Sequence, residues 1–190
     1  MRLEEQIGKL SKRLLAYAPG QLAELRRMEP GSAGVPAYWR LANECAFRDQ
    51  DADIWMSIVR TMAILAPKGQ RNARHRLHDR GRHLGAVLCD GGDPSWLPRD
   101  PSSADGVVSE KRLMRFLALP ASQRGPALER IARMLATRRD RDPEQGLNCT
   151  EIAALLLWPE DQRNLQNIAR DYYRRLDYVA PEARTEETEA

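Results

Sequence analysis

Cysteine is scarce in this 190-residue chain: Cys45, Cys89 and Cys149 are odd in number, widely separated and in no C-x-x-C pair. That excludes a disulfide scaffold and a cysteine-built zinc site, and it fits a reducing cytoplasmic setting. Long apolar runs are missing too. The longest, Ile152 to Trp158, is seven residues, against the ~18 to 20 a membrane span needs, so no membrane partner is expected. Glu4 and Glu5 stand where a signal peptide would turn apolar. There is no serine in a G-x-S-x-G elbow and no glycine-rich loop followed by lysine, since Gly91-Gly92 lies among prolines. Neither nucleophilic catalysis nor a phosphate-cradling loop is supported, and no cofactor is implied. Alternating β-branched stretches and internal repeats are likewise absent. Lysine is almost missing: Lys9, Lys12, Lys68 and Lys111 are the only four, against 26 arginines.

What is present is positive charge, unevenly placed. The chain totals +3, but residues 182–190 hold four glutamates and one arginine, so the rest carries +6. This acidic tail, 181–190, reads as a solvated disordered end. Arginine presents a planar fork of donors that matches phosphate, although a GC-rich genome also favours arginine codons without any functional reason. The densest cluster runs from Lys68 to Gly85. It contains Lys68, Arg71, Arg74, Arg76, Arg80 and Arg82 against the single acid Asp79, together with His75, His78 and His83. Six cations in so short a stretch repel one another unless a polyanion or salt screens them. Binding a phosphate backbone would relieve that repulsion and release counterions, whereas the simpler alternative is a solvated loop.

Apolar spacing is helical almost throughout. Leu3, Ile7, Leu10 and Leu14 share a face, and Pro19-Gly20 is expected to stop that helix. Leu22 and Leu25 mark a short second helix ending in Arg26-Arg27, and Glu29 to Pro36 reads as loop. Ala37–Cys45 and Asp51–Ala66 follow as helices, with a further short one over His83–Cys89. Asp90 to Gly106, with three glycines and three prolines, is a linker or surface insertion. Ser109 is expected to cap a helix through Leu117, and Ala127 to Thr137 forms another. Thr150 is expected to cap a helix to Leu157, and Pro159 to open a long one ending near Tyr178. The expected fold is therefore all-α, a two-lobed helical bundle. Residues 1–89 form one bundle with the basic loop 68–82, residues 90–107 the connection, and residues 108–180 the second bundle.

Other chemistry is thin. His78-Asp79 resembles a fragment of a metal phosphohydrolase site, but such sites need a separate upstream histidine. His75 is too near for that role, and the helix expected at Asp51–Ala66 has none. The three histidines are expected at the surface, with no metal. Asp140 and Asp142 lie among Arg138, Arg139 and Arg141 and read as a solvated helix end. Trp39, Trp55 and Trp158 fall on apolar faces and are expected in the core, which leaves Trp96 as the open aromatic.

Three stretches carry a resemblance. Leu22 to Leu41, LAELRRMEPGSAGVPAYWRL, is a short helix ending in two arginines, a loop, then proline, an aromatic pair and Arg-Leu. His83 to Gly92 resembles a Leu-Gly-x-x-Leu helix start, and Val108 to Leu119 a polar cap and glutamate before two basic residues and an apolar run. In this order and spacing, over roughly residues 10–178, they resemble the CasB family, the small subunit of the type I-E CRISPR Cascade complex. The resemblance implies a non-catalytic, all-helical subunit of an RNA-guided antiviral surveillance complex. Its implied partners are the backbone and large Cascade subunits, a second copy of itself, and the guide RNA and target DNA. It would hold the heteroduplex and the displaced strand by their backbones, because pairing carries the sequence specificity in such machines. The resemblance carries Arg26, Arg27, Lys111 and Arg112 over as backbone contacts, beside Arg71, Arg74, Arg76 and Arg80 of the basic loop. Two other readings remain open at this point: a helical interaction adapter with a basic docking loop, and a metal-dependent phosphohydrolase centred on His78-Asp79.

Overall fold

A computed structural model describes residues 2–68, 74–93, 95–97, 106–139 and 145–177. Within them the chain is an all-α helical bundle: α1 (Leu3–Ala16), α2 (Pro19–Arg27), α3 (Pro36–Cys45), a 3-10 turn (Asp49–Asp51), α4 (Ala52–Leu65), α5 (Leu84–Asp90), α6 (Glu110–Leu117), α7 (Ala121–Arg139), α8 (Cys149–Leu157) and α9 (Gln162–Leu176). The only β pairing among the described residues is a single parallel bridge between His78 and Leu147.

The helix α1 buries Ile7, Leu10 and Leu14 and carries Glu4 and Glu5 in its first turn and Arg13 in its last. That charge order complements the helix dipole. By contrast, α4 is apolar on nearly every side, with Trp55, Met56, Ile58, Val59, Met62, Ala63, Ile64 and Leu65 buried. A helix so patterned belongs in an interior. It packs against α2 on one side and α7 and α8 on the other, while α1 also meets α8. Helices from before residue 90 and after residue 107 thus meet directly, and their buried side chains form one cluster from Ile7 to Leu176.

The most extensive helix pairing is α5 with α9. Gly85 allows it, since a Cβ there would lie 2.2 Å from the Ile168 carbonyl oxygen. Beyond α5 the chain leaves and returns to the same place: Val107 N–H donates to Cys89 O at 2.7 Å and Val108 N–H to Leu88 O at 2.9 Å. The Tyr172 hydroxyl then donates to Val108 O at 2.6 Å, fixing the start of α6 against α9.

Several local expectations change. The helix α1 ends at Ala16, just before Pro19, and Pro19 itself opens α2 as a first-turn residue, where its missing N–H costs nothing. Asn148, not Thr150, caps α8, its side chain accepting from Thr150 N–H. Asp161 caps α9, and Pro159 lies in the turn before it. The helix expected at Ala127 begins at Ala121, with Pro126 inside it. Trp39 and Trp158 are 43% and 52% exposed rather than in the core. Trp39 faces outward because its indole N–H donates to Ala33 O at 2.9 Å. Trp96, expected open, is partly buried with Arg175 over its ring at 5.4 Å. Residues 69–73, 98–105, 140–144 and 178–190, which include Arg71, the Asp140/Asp142 pair and the acidic tail, lie outside the described residues.

Candidate nucleic-acid interface

Of the eight cations expected to bind phosphate, Arg71 lies outside the described residues and the other seven fall in three places. Arg26 and Arg27 end α2, which rests on α3 and α4; Arg74, Arg76 and Arg80 lie on the segment leading to α5; Lys111 and Arg112 are on α6, which rests on α9. Their surroundings differ. Arg26 is half-buried, and its guanidinium donates to Ala63 O at 2.8 Å and Ala66 O at 3.1 Å, where α4 leaves carbonyls unpaired. Arg27 is exposed and donates to Ala23 O of its own helix at 3.2 Å. Arg74, Arg76 and Arg80 are all exposed.

The segment around Arg80 is tightly held along the start of α8. Leu147 N–H donates to Leu77 O at 3.2 Å, Asp79 N–H to Leu147 O at 2.9 Å, and Asn148 N–H to Arg82 O at 2.7 Å. Between them, Arg82 N–H donates to Asp79 O at 3.2 Å, and Asp79 Oδ1 accepts from Gly81 N–H at 2.9 Å. This is a β-turn with Arg80 at its tip, built on the aspartate that favours the first position. Arg82 points inward, to Gln145 and to Asp90 at 3.6 Å.

The histidines do structural work here. His78 is only 11% exposed, not at the surface as expected. Its Nδ1 accepts from Cys149 N–H at 3.2 Å, so the ring proton sits on Nε2, which donates to Glu4 Oε1 at 3.0 Å. The other oxygen of Glu4 accepts from the Thr150 hydroxyl at 2.7 Å. Burial raises the Glu4 pKa, but the hydrogen bonds from Thr150 and His78 outweigh it and hold the carboxyl below its ordinary value. His78 and Asp79 are thus both engaged in joining α1, the basic segment and α8.

His83, Glu151 and Asp171 form the one group among the described residues with metal-ligand geometry, their ligand atoms lying within 4.8 Å of one another. Glu151 is occupied, accepting from Leu84 N–H and His83 Nδ1, both at 2.6 Å. Arg170 and Arg174 each stand 3.7 Å from Asp171. These cations already compensate the carboxylate, so the group acts as a clamp between α5, α8 and α9. The thiols of Cys45 and Cys89 are not activated: burial pushes their pKa up to about 11 and about 12.

Sequence reasoning reached only part of a second basic surface, through Lys111 and Arg112. On α6, Leu113 and Phe116 point inward while Lys111, Arg112 and Arg115 are exposed and make no ion pair among the described residues. Lys111 and Arg115 are four residues apart and share the outward face. On α9, the buried Leu165, Ile168, Tyr172 and Leu176 leave Arg163, Arg170 and Arg174 outside. At 3.6 residues per turn these three fall within about 20° of one line, spread over about 16 Å. The Arg170 and Arg174 contacts to Asp171 are long and the arginines 60% and 73% exposed, so they hold those side chains weakly. The signal that could have found this surface was helical periodicity applied to cations as well as to apolar residues.

A family model described as CRISPR-associated protein Cse2 matches residues 21–173, most of the chain. No curated protein and no solved structure matches. Among the described residues, no helix is long and apolar enough to cross a membrane. The chain belongs to the Cse2 family, the small subunits of Cascade, and is a non-catalytic subunit that assembles with other Cascade subunits.

Proposed function

We propose, with that membership as premise, that this chain holds nucleic-acid backbone inside the assembled complex, steadying the guide RNA–target heteroduplex and the displaced DNA strand. The observation that carries this reading is the pair of packed helices α6 and α9, whose outward faces present Lys111, Arg112, Arg115, Arg163, Arg170 and Arg174. Arg27 and the segment with Arg74, Arg76 and Arg80 extend the cationic surface, with Arg71 beyond the described residues. Arg26 contributes by securing the end of α4 beneath Arg27. On this reading the contacts are electrostatic and independent of sequence, because base pairing carries the specificity. A second copy of the chain would lengthen the cationic track, in a cytoplasmic complex.

Replacing Arg27 and Arg112 together by alanine should leave assembly intact and reduce target-strand opening, scored as R-loop yield by the reconstituted complex. Replacing Lys111, Arg112 and Arg115 should flatten the dependence of log affinity on log salt by about 0.7–0.9 for each phosphate no longer neutralised. An unchanged R-loop yield with an unchanged salt slope would overturn the reading and favour a helical adapter whose cations face acidic protein partners.

A further inference from the structure

The basic segment holds six cations against one acid, yet the turn that carries Arg80 has a defined shape. Asn148 grips that turn from two sides. Its backbone N–H donates to Arg82 O at 2.7 Å, and its side-chain amide lies 3.5 Å from Arg80 O and 3.1 Å from Glu151 Oε1. Its own side-chain oxygen accepts from Thr150 N–H at 3.2 Å, so the same residue starts α8. Glu151, one turn further along α8, closes the segment's other end through Leu84 N–H and His83. Arg82 is drawn inward by Gln145 and Asp90, which leaves Arg80 at the tip facing solvent.

We infer that Asn148 and Glu151 are positioning residues for phosphate binding by Arg80; this rests on the reading of the segment as part of the nucleic-acid surface. A loose loop would have to be ordered when it meets the strand, losing backbone conformational entropy at each residue. Here that ordering is done in the folded subunit, by hydrogen bonds from α8 that touch no nucleic acid. The held turn fixes where the Arg80 side chain leaves the surface, and binding then selects only its rotamers.

The test is a double-mutant cycle in the reconstituted complex, with target-DNA affinity measured across a salt series. Asn148→Ser keeps a helix-capping oxygen but loses the amide donor. Thermal melting of the free subunit confirms that it folds, and Glu151→Gln, which keeps an acceptor for Leu84 N–H, repeats the test by a second route. Arg80→Ala should weaken binding about 3–10-fold and lower the salt slope by about 0.7–0.9. Asn148→Ser should reproduce part of both effects alone and add nothing when Arg80 is already alanine. Additive effects, or full affinity in Asn148→Ser while Arg80→Ala binds weakly, would overturn the positioning role and leave the phosphate reading standing. Full affinity in Arg80→Ala would instead overturn the phosphate reading of this segment, and the inference with it.

Discussion

At the junction beside α9, Arg175 donates to Asp90 at 2.9 Å and to Trp96 O at 2.6 Å with its guanidinium over the indole, and Asp90 is only 4% exposed. On another face of the same helix, Arg163, Arg170 and Arg174 stand in solvent. The residue type is the same and the work is opposite. Arginine beside a buried carboxylate or an unpaired carbonyl is part of the fold, as Arg26, Arg82 and Arg124 also are. Arg124 is buried, its guanidinium donating to Leu119 O at 3.2 Å and Pro159 O at 2.5 Å. Arginine on the far side of an amphipathic helix, largely exposed and held to an acid by at most a long 3.7 Å contact to Asp171, is available to a partner. A count of 26 arginines therefore overstates the binding surface, and only the acceptor within reach separates the two groups.

The comparison is most exposed to Arg175→Ala. Removing this partner leaves Asp90 with Arg82 at 3.6 Å as its one remaining cation and the Gly92 N–H at 2.8 Å, and an underpaired buried carboxylate costs about 3–5 kcal/mol. Urea unfolding should show that loss, while Arg163→Ala on the outward face should change stability by no more than about 0.5 kcal/mol. Equal losses for the two would erase the distinction. Arg26→Ala tests a boundary case, because the sequence places Arg26 beside Arg27 as a phosphate ligand. Two charge-assisted hydrogen bonds to the end of α4 disappear, so stability should fall by about 1.5–3 kcal/mol with the salt slope of binding unchanged. A lowered slope with unchanged stability would move Arg26 into the outward group.

The smallest effect concerns acid. The carboxyl of Glu4 titrates below its unfolded value in the native state. Its contribution is thus fully present above the ordinary glutamate pKa, about 4.3, and is lost as pH falls through the lower folded value. Glu4→Gln should remove that part of the acid sensitivity in chemical unfolding followed from pH 7 to pH 3. An identical pH profile in the variant would remove Glu4 from the set of groups holding the basic segment to α8.

Legibility in the sequence followed the range of the interaction concerned. Leu3, Ile7, Leu10 and Leu14 announced α1, and Ile54, Ile58, Met62 and Leu65 announced α4, because helical periodicity is a local property of side chains on one turn and the next. Helix ends were harder to read. Pro19 and Pro159 are both plausible stops or starts, and whether a proline opens a helix depends on where the preceding chain is held. The outward cations were half visible: Lys111 and Arg112 were found through a motif, while Arg115, Arg163, Arg170 and Arg174 needed the buried face of each helix to be known first. Trp39 and Trp158 were misplaced because their helices are apolar nearby, and only packing shows which side of the ring has a neighbour.

By itself the sequence determined an all-α chain rich in arginine, without a catalytic constellation, and carrying the motif order of its family. Such properties follow from residue type and spacing along one chain. Tertiary structure alone decided which arginines are bound within and which face out, that Asn148 and Glu151 govern a turn some seventy residues earlier, and that His78 joins α1 to α8. Those outcomes depend on which acceptor arrives within about 3 Å of a donor, and partners so far apart in the chain are brought together only when the shared core forms.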